Sequence, residues 1–279
     1  MSVRRGRSGF LRATAVVAAL CTAAATTAAQ GGPKGVLYGF TAFPYDLTDE
    51  AERRMDELIA ANANLYAIHM DECLPWAEAL AGTALPTWLE DNWRKDRARI
   101  TPGQFVYIAV TPTANDRHSL ATACGASEGS AGRLPAALRG AKFGDANVKR
   151  AYVNYIRRVI EIFDPQFLNI GIEISELALR HPQDWPAFQG LFLHAYGEIK
   201  RTNPGIRIGI EMVLQSLLVP KVAALVKPAV EASDYLGLSF YPYASSFGEF
   251  FGAPRSTGCA RGRRSRSRSA KPATRPRSC

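Results

Sequence analysis

Six short runs of nearly unbroken apolar residues punctuate this chain, and a helical stretch follows each of the first five. The runs are "VLYGF" (36–40), "NLYAIHM" (64–70), "QFVYIAV" (104–110), "QFLNIGIE" (166–173), "IRIGIEM" (206–212) and "DYLGLSF" (234–240). A strand that faces water on one side alternates apolar and polar residues; these runs do not, so they read as strands of a buried parallel sheet. Between them, "DLTDEAERRMDELIAANA" has an N-cap candidate at Thr48, acids in its first turn, and Met55, Leu58 and Ile59 at helical spacing. "NVKRAYVNYIRRVIEIF" (147–163) is amphipathic, and "DWPAFQGLFLHAYGEIKRTN" stops at Pro204-Gly205. Shorter helices are expected over 76–80, 88–99 and 218–232, and a long Gly/Ser/Thr-rich loop runs from the third strand to about Gly144. Alternating strands and helices mean an α/β fold. Both a doubly wound sheet and a TIM barrel fit the spacing. The turn after the first strand, "YGFTAFPYD", lacks the GxGxxG that a dinucleotide-binding fold wants.

The ends of the chain differ from its body. The formal net charge is +9. Residues 255–279 hold eight Arg and one Lys with no acid, and Arg4, Arg5, Arg7 and Arg12 stand alone in the first thirty. Removing those nine and four from 34 basic residues leaves 21 against 25 acidic ones, so the body is slightly acidic. The basic charge therefore gives the body no nucleic-acid partner. The run "RRSRSRS" could bind phosphates only through the tail.

"MSVRRGRSGFLR", the apolar "ATAVVAALCTAAA" and the small residues of "TTAAQ" read as a cleaved export signal over residues 1–29. The apolar run is too short to span a membrane. A secreted or periplasmic location follows as the expectation, with no membrane role beyond export.

Residues 255–279 contain no Leu, Ile, Val, Phe, Tyr or Trp, cannot form a core, and are expected to be disordered. The strand–helix grammar breaks near Pro254, where an eight-unit barrel needs two more units. An out-of-frame tail would explain the break, and the partial barrel is accordingly expected over 30–254.

Residues that end barrel strands form the catalytic rim. That rule collects His69 and Asp71 after the second run, with Trp76 beside Pro75 in the same loop. Thr111, Thr113 and then Asn115 to His118 follow the third, Glu173 the fourth, Glu211 the fifth, and Tyr241 and Tyr243 the sixth. Phe43 and Tyr45 follow the first. Paired carboxylates with aromatic faces suit a glycosidic bond and the apolar faces of pyranose rings. Each has a plainer reading. His69 would be a hydrogen-bonded core residue, Asp71 a cap, and Glu211 an ion-pair partner of an Arg. Trp88, Trp93 and Trp185 read as helix packing. No HExxH, CxxC or His cluster marks a metal site, and no cofactor is expected. Cys73 and Cys124 are the two cysteines of the body; an oxidising compartment would let them pair, and two free thiols are the alternative.

"FLNIGIEISELALRHPQDWPAFQGLFLHAYGEIKRTNPGIRIGI" resembles the fourth strand, loop and helix of the retaining β-glycosidase clan with (β/α)8 barrels, and is most similar to its endo-β-1,4-galactanase-like branch. "DYLGLSFYPY" resembles the sixth strand of that branch and "VLYGF" the first, while "IHMDECLPWAEAL" resembles uncharacterised secreted members of the barrel group. The resemblance covers about residues 35–251. It implies a glycoside hydrolase acting on a β-linked poly- or oligosaccharide, with Glu173 as general acid/base. In that role the carboxyl must keep its proton near neutral pH, so its pKa should be raised by burial and a nearby carboxylate. Two departures stand out. Ile172 occupies the place of an Asn that contacts the sugar 2-hydroxyl, and the clan's nucleophile is a Glu ending a seventh strand that this sequence does not show. Glu211 is the nearest substitute. Loss of that nucleophile is expected to impair hydrolysis, leaving a non-catalytic carbohydrate-binding barrel as the alternative.

Overall fold

A computed structural model describes residues 35–241 of the 279. The export signal over 1–29, the basic tail over 255–279, Tyr243, Cys21, Cys259 and Cys279 lie outside the described residues.

Within them, six parallel strands form one sheet: β1 (Gly39–Thr41), β2 (Leu65–Met70), β3 (Phe105–Val110), β4 (Phe167–Asn169), β5 (Arg207–Val213) and β6 (Tyr235–Ser239). Their spatial order is their chain order. This decides between the two folds left open by the spacing. A doubly wound sheet reverses direction at a switch point, which places helices on both faces. Here no reversal occurs. Parallel crossovers share one hand, so unbroken sequential order puts every helix on the same face and curls the sheet. The fold is an α/β half-barrel, the arc of a TIM barrel that six strands make.

The helices are α1 (Asp49–Asn62), α2 (Trp76–Ala81), α3 (Thr87–Arg99), α4 (Ala146–Phe163), α5 (Ser175–Arg180), α6 (Trp185–Thr202), α7 (Leu214–Leu217) and α8 (Pro220–Ala232). Thr48 caps α1 as its sequence predicts, its hydroxyl accepting from the Ala51 amide at 3.2 Å. Strand alternation gives the sheet two unlike faces. Ile108, Val110, Leu168, Ile208, Ile210 and Met212 are fully buried in one cluster with Tyr152, Ile156 and Phe163 of α4 and Phe188 and Phe192 of α6. The opposite, concave face is only partly covered: Tyr107, Phe167 and Tyr235 are half-buried there. Burial of both faces thus holds at the centre of the sheet, where Ala109, Asn169 and Glu211 of the concave face are buried too, and fails towards its edges. β1 and β6 are the edges of the sheet, and Leu236 and Leu238 on β6 are exposed.

Two ties fasten the loops and helices behind the concave face. A disulfide joins Cys73 after β2 to Cys124 in the loop after β3. Beside it, the Leu74 amide donates to the Thr122 carbonyl at 2.8 Å and the Cys124 amide donates to the Leu74 carbonyl at 3.1 Å. Farther out, Glu90 of α3 is buried and accepts from Arg158 of α4 at 2.8 and 2.7 Å and from Arg94 at 2.7 Å. The Arg158 hydrogen bond is the main cause holding the Glu90 carboxyl at about 2, against the upward push of burial.

A carboxyl depressed in the folded state stabilises the fold above its unfolded value and stops doing so as pH falls through its folded value. Glu90 stability should therefore be present above about pH 4.5 and be lost towards about pH 2. Urea midpoints of Glu90→Gln and the parent should converge as pH falls through that window; an unchanged gap at pH 7 and pH 2.5 would refute the role. The disulfide closes a loop over a sequence separation of 51. Replacing both cysteines by Ala should lower unfolding stability by about 4 kcal/mol at most on the chain-entropy estimate, read as a drop in urea midpoint that dithiothreitol reproduces in the parent.

Candidate active site

The run "QFLNIGIE" does not stay a strand to its end. Regular pairing stops at Asn169, and the backbone then turns while keeping its hold on β5. Ile170 donates to the Gly209 carbonyl at 3.1 Å, Glu211 donates to the Gly171 carbonyl at 2.9 Å, and Ile174 donates to the Glu211 carbonyl at 3.0 Å. Glu173 sits in this turn with φ +51, a left-handed conformation that costs a non-glycine residue free energy. The cost is borne where the side chain is put to use: Glu173 is aimed into the rim while Ile172 and Ile174 stay fully buried.

Arg117 is the hub of the rim. It also has positive φ, +56, and its side chain is 10% exposed. One guanidinium nitrogen, Nη2, donates to Glu173 Oε2 at 3.1 Å and to Asp71 Oδ2 at 3.3 Å, so the loops after β2, β3 and β4 converge on it. Its Nε and Nη1 are buried without partners among the described residues. The other Glu173 oxygen accepts from the Tyr241 hydroxyl.

Burial pushes the Glu173 carboxyl up, but the Tyr241 hydroxyl, the Arg117 hydrogen bond and the Arg117 charge outweigh it and hold it below the usual carboxylate range. This reverses the raised value expected of an acid/base residue, because the nearest charge is a cation rather than a second carboxylate. Burial and the Glu173 carboxylate push the Tyr241 phenol up to about 12, and Glu211 adds to the push.

Glu211 is buried on the concave face of β5. It makes no ion pair with an Arg among the described residues. One oxygen accepts from Asn169 Nδ2 at 2.6 Å, the other from the Ser239 hydroxyl. Ser239 also acts on Glu173, and Tyr241 feels both carboxylates, so the two acids share a hydroxyl-lined corner formed by β4, β5 and β6. Asn169 reaches on to the Tyr107 hydroxyl at 3.3 Å.

His69 lies in register with Ala109, Asn169, Gly209 and Tyr235 across the concave face. Its Nε2 is buried with no partner among the described residues, so it is not the satisfied core histidine of the plainer reading. Asp71 joins the site through Arg117.

Trp76 does not join it. It is fully buried, its indole N–H donating to the Ala121 carbonyl at 2.7 Å, and it offers no face to a sugar. Tyr241 is exposed at the rim, while Phe43 and Tyr45, also exposed, line a hollow with Met55, Leu58 and Ile59 of α1.

Sequence reasoning placed Arg117 beyond the third strand but gave it no role, and passed over Asn169 and Ser239. A polar residue inside an apolar run was the available signal for Asn169; nothing local marked the reach of Arg117 across to Glu173.

No family model matches the chain, and no curated protein matches it. Among solved structures it is similar to the Ignisphaera aggregans GH53 catalytic domain, at 17% identity and a TM-score of 0.41 over 75% of this chain. The chain spans 56% of that domain.

Arg117→Met removes both the charge and the donor that hold Glu173 down while leaving its burial. The Glu173 titration midpoint, followed by carboxyl carbon NMR against pH, should rise. An unchanged midpoint would mean that Arg117 does not set the state of this carboxyl.

Proposed function

We propose that this chain is an exported, glycoside hydrolase-like protein whose rim takes a β-linked poly- or oligosaccharide, with Glu173 as acid/base and Glu211 as the second carboxylate. One observation carries this reading: two acids of neighbouring units face one corner, where the Ser239 hydroxyl donates to Glu211 and also acts on Glu173, and the Tyr241 hydroxyl donates to Glu173. A retaining mechanism uses two carboxyls ~5 Å apart. Glu173 would protonate the leaving oxygen and Glu211 would attack the anomeric carbon. Arg117 Nε and Nη1 would donate to sugar hydroxyls and His69 Nε2 would donate to or accept from one, which removes the cost of leaving them buried and unpaired. Tyr241, exposed beside Glu173, would lie against a ring face.

The lowered Glu173 favours a second reading. Held ionised by Arg117 and Tyr241, the carboxylate accepts hydrogen bonds and has no proton to give. In that state the rim binds sugar without cleaving it. Hydrolysis requires Arg117 to withdraw from Glu173 when substrate enters. Ile172, buried where the clan places a sugar-contacting Asn, also weakens catalysis more than binding.

Calorimetric binding and reducing-sugar release, measured on the full chain with a panel of β-linked galactans and glucans, separate the two. Under the enzyme reading Glu173→Gln loses about 100-fold or more in rate, the usual worth of a general acid, while affinity changes little. Binding without release by the parent supports the binding module. A parent that neither binds nor cleaves any member of the panel defeats both.

A further inference from the structure

We propose that His118, His181 and Asp184 form a site for a zinc-class divalent ion, which staples the loop after β3 to the segment between α5 and α6. His181 and Asp184 share the segment between α5 and α6, and His118 comes from the loop after β3, more than sixty residues earlier, so no local spacing marks the three as a set. Folding brings one ligand atom of each within 4.8 Å of the others. His118 Nε2 lies 3.1 Å from Asp184 Oδ2, and the His118 and His181 rings stack with centroids 3.6 Å apart and planes 10° from parallel.

Zinc takes imidazole nitrogen and carboxylate oxygen at about 2.0–2.2 Å, in a tetrahedron whose ligand atoms lie a little over 3 Å apart. The His118–Asp184 pair already has that separation. Closure of the third ligand needs only a tilt of the His181 ring out of the stack. That ring is the second pointer: neither of its nitrogens has a hydrogen-bond partner among the described residues, and a neutral imidazole always presents one lone pair. Two imidazoles and one carboxylate leave a fourth position for water.

The backbone under each ligand is held independently of any ion. Asp116 accepts from the His118 amide at 2.9 Å and from the Ser119 amide at 2.8 Å, fixing the turn that carries His118. The His181 amide donates to the Leu177 carbonyl at 2.8 Å, and the Asp184 amide donates to the His181 carbonyl at 2.9 Å. Gln183 Nε2 donates to Asp184 Oδ2 at 3.3 Å, an outer contact of the kind that orients a ligating carboxylate. The staple bears on the rim without belonging to it. His118 follows Arg117, and α5 starts two residues after Glu173, so an ion here would fasten the two loops whose side chains meet at 3.1 Å.

Calorimetric titration of ZnCl2 into the full chain, stripped with EDTA, tests the proposal. One ion per chain is expected, with the thermal midpoint raised by about 5 °C near saturation. His118→Ala and His181→Ala should each weaken binding by more than about 10-fold, beyond what loss of an outer contact usually costs. Circular dichroism without zinc confirms that each variant is folded, and Asp184→Asn, nearly isosteric, provides a variant that keeps the packing. Cys21, Cys259, Cys279 and the exposed His194 are the rival ligands. Binding that survives both histidine variants but falls with C21S/C259S/C279S or His194→Ala overturns the site, as does absence of heat at 0.1 mM zinc-range concentrations (about 10⁻⁴ M, far above the affinity of protein zinc sites).

Discussion

Each strand pairs with the strand before it and the strand after it in the chain, and the rest of the structure depends on this. Sequential parallel pairing sends every crossover helix to one side. That side then buries Ile108, Leu168, Ile208, Ile210 and Met212 against α4 and α6. The other side is left concave, and along it polar residues can collect. Asn169, Glu211 and Ser239 occupy it because their strands alternate. The carboxylate corner is a consequence of strand order before it is a matter of chemistry.

Arg117 then determines the state of that corner. A single guanidinium lies between Asp71 and Glu173, reached from a loop whose base is fastened by the Cys73–Cys124 disulfide and by the buried Trp76 indole. Low dielectric strengthens each of these contacts. The same arrangement that makes Glu173 a good acceptor makes it a poor proton donor. The two readings proposed for the rim thus differ in the position of one cation, and both backbone strains at the site, at Arg117 and Glu173, lie on the two partners of that contact.

The strand–helix alternation was legible in the chain because it is a local pattern. Apolar runs and 3.6-residue periodicity depend on neighbours a few positions apart, and the Thr48 cap depends on one turn. Glu173 could be ranked first among the acids for the same reason: it follows the run "FLNIGI" directly. Legibility failed where the partner was distant. Trp76 read as an exposed loop aromatic, but its indole bonds a carbonyl 45 residues away. Glu211 read as an ion-pair partner, but its oxygens are satisfied by Asn169 and Ser239. The raised pKa expected of Glu173 assumed a nearby carboxylate would dominate, and Arg117, 56 residues earlier, dominates instead.

By itself, the sequence determined the class of fold, the number of strand–helix units in its body, the acidic character of that body, and the short set of residues able to stand at strand ends. Only tertiary structure decided that the units curl one way into an arc, that Arg117 meets Glu173, that Trp76 is core, and that His118, His181 and Asp184 meet. The physical reason is the range of the forces being read. Periodicity encodes which face of an element must leave water. Which element it then meets is fixed by packing and by crossover handedness, and neither is written in any short stretch of the chain.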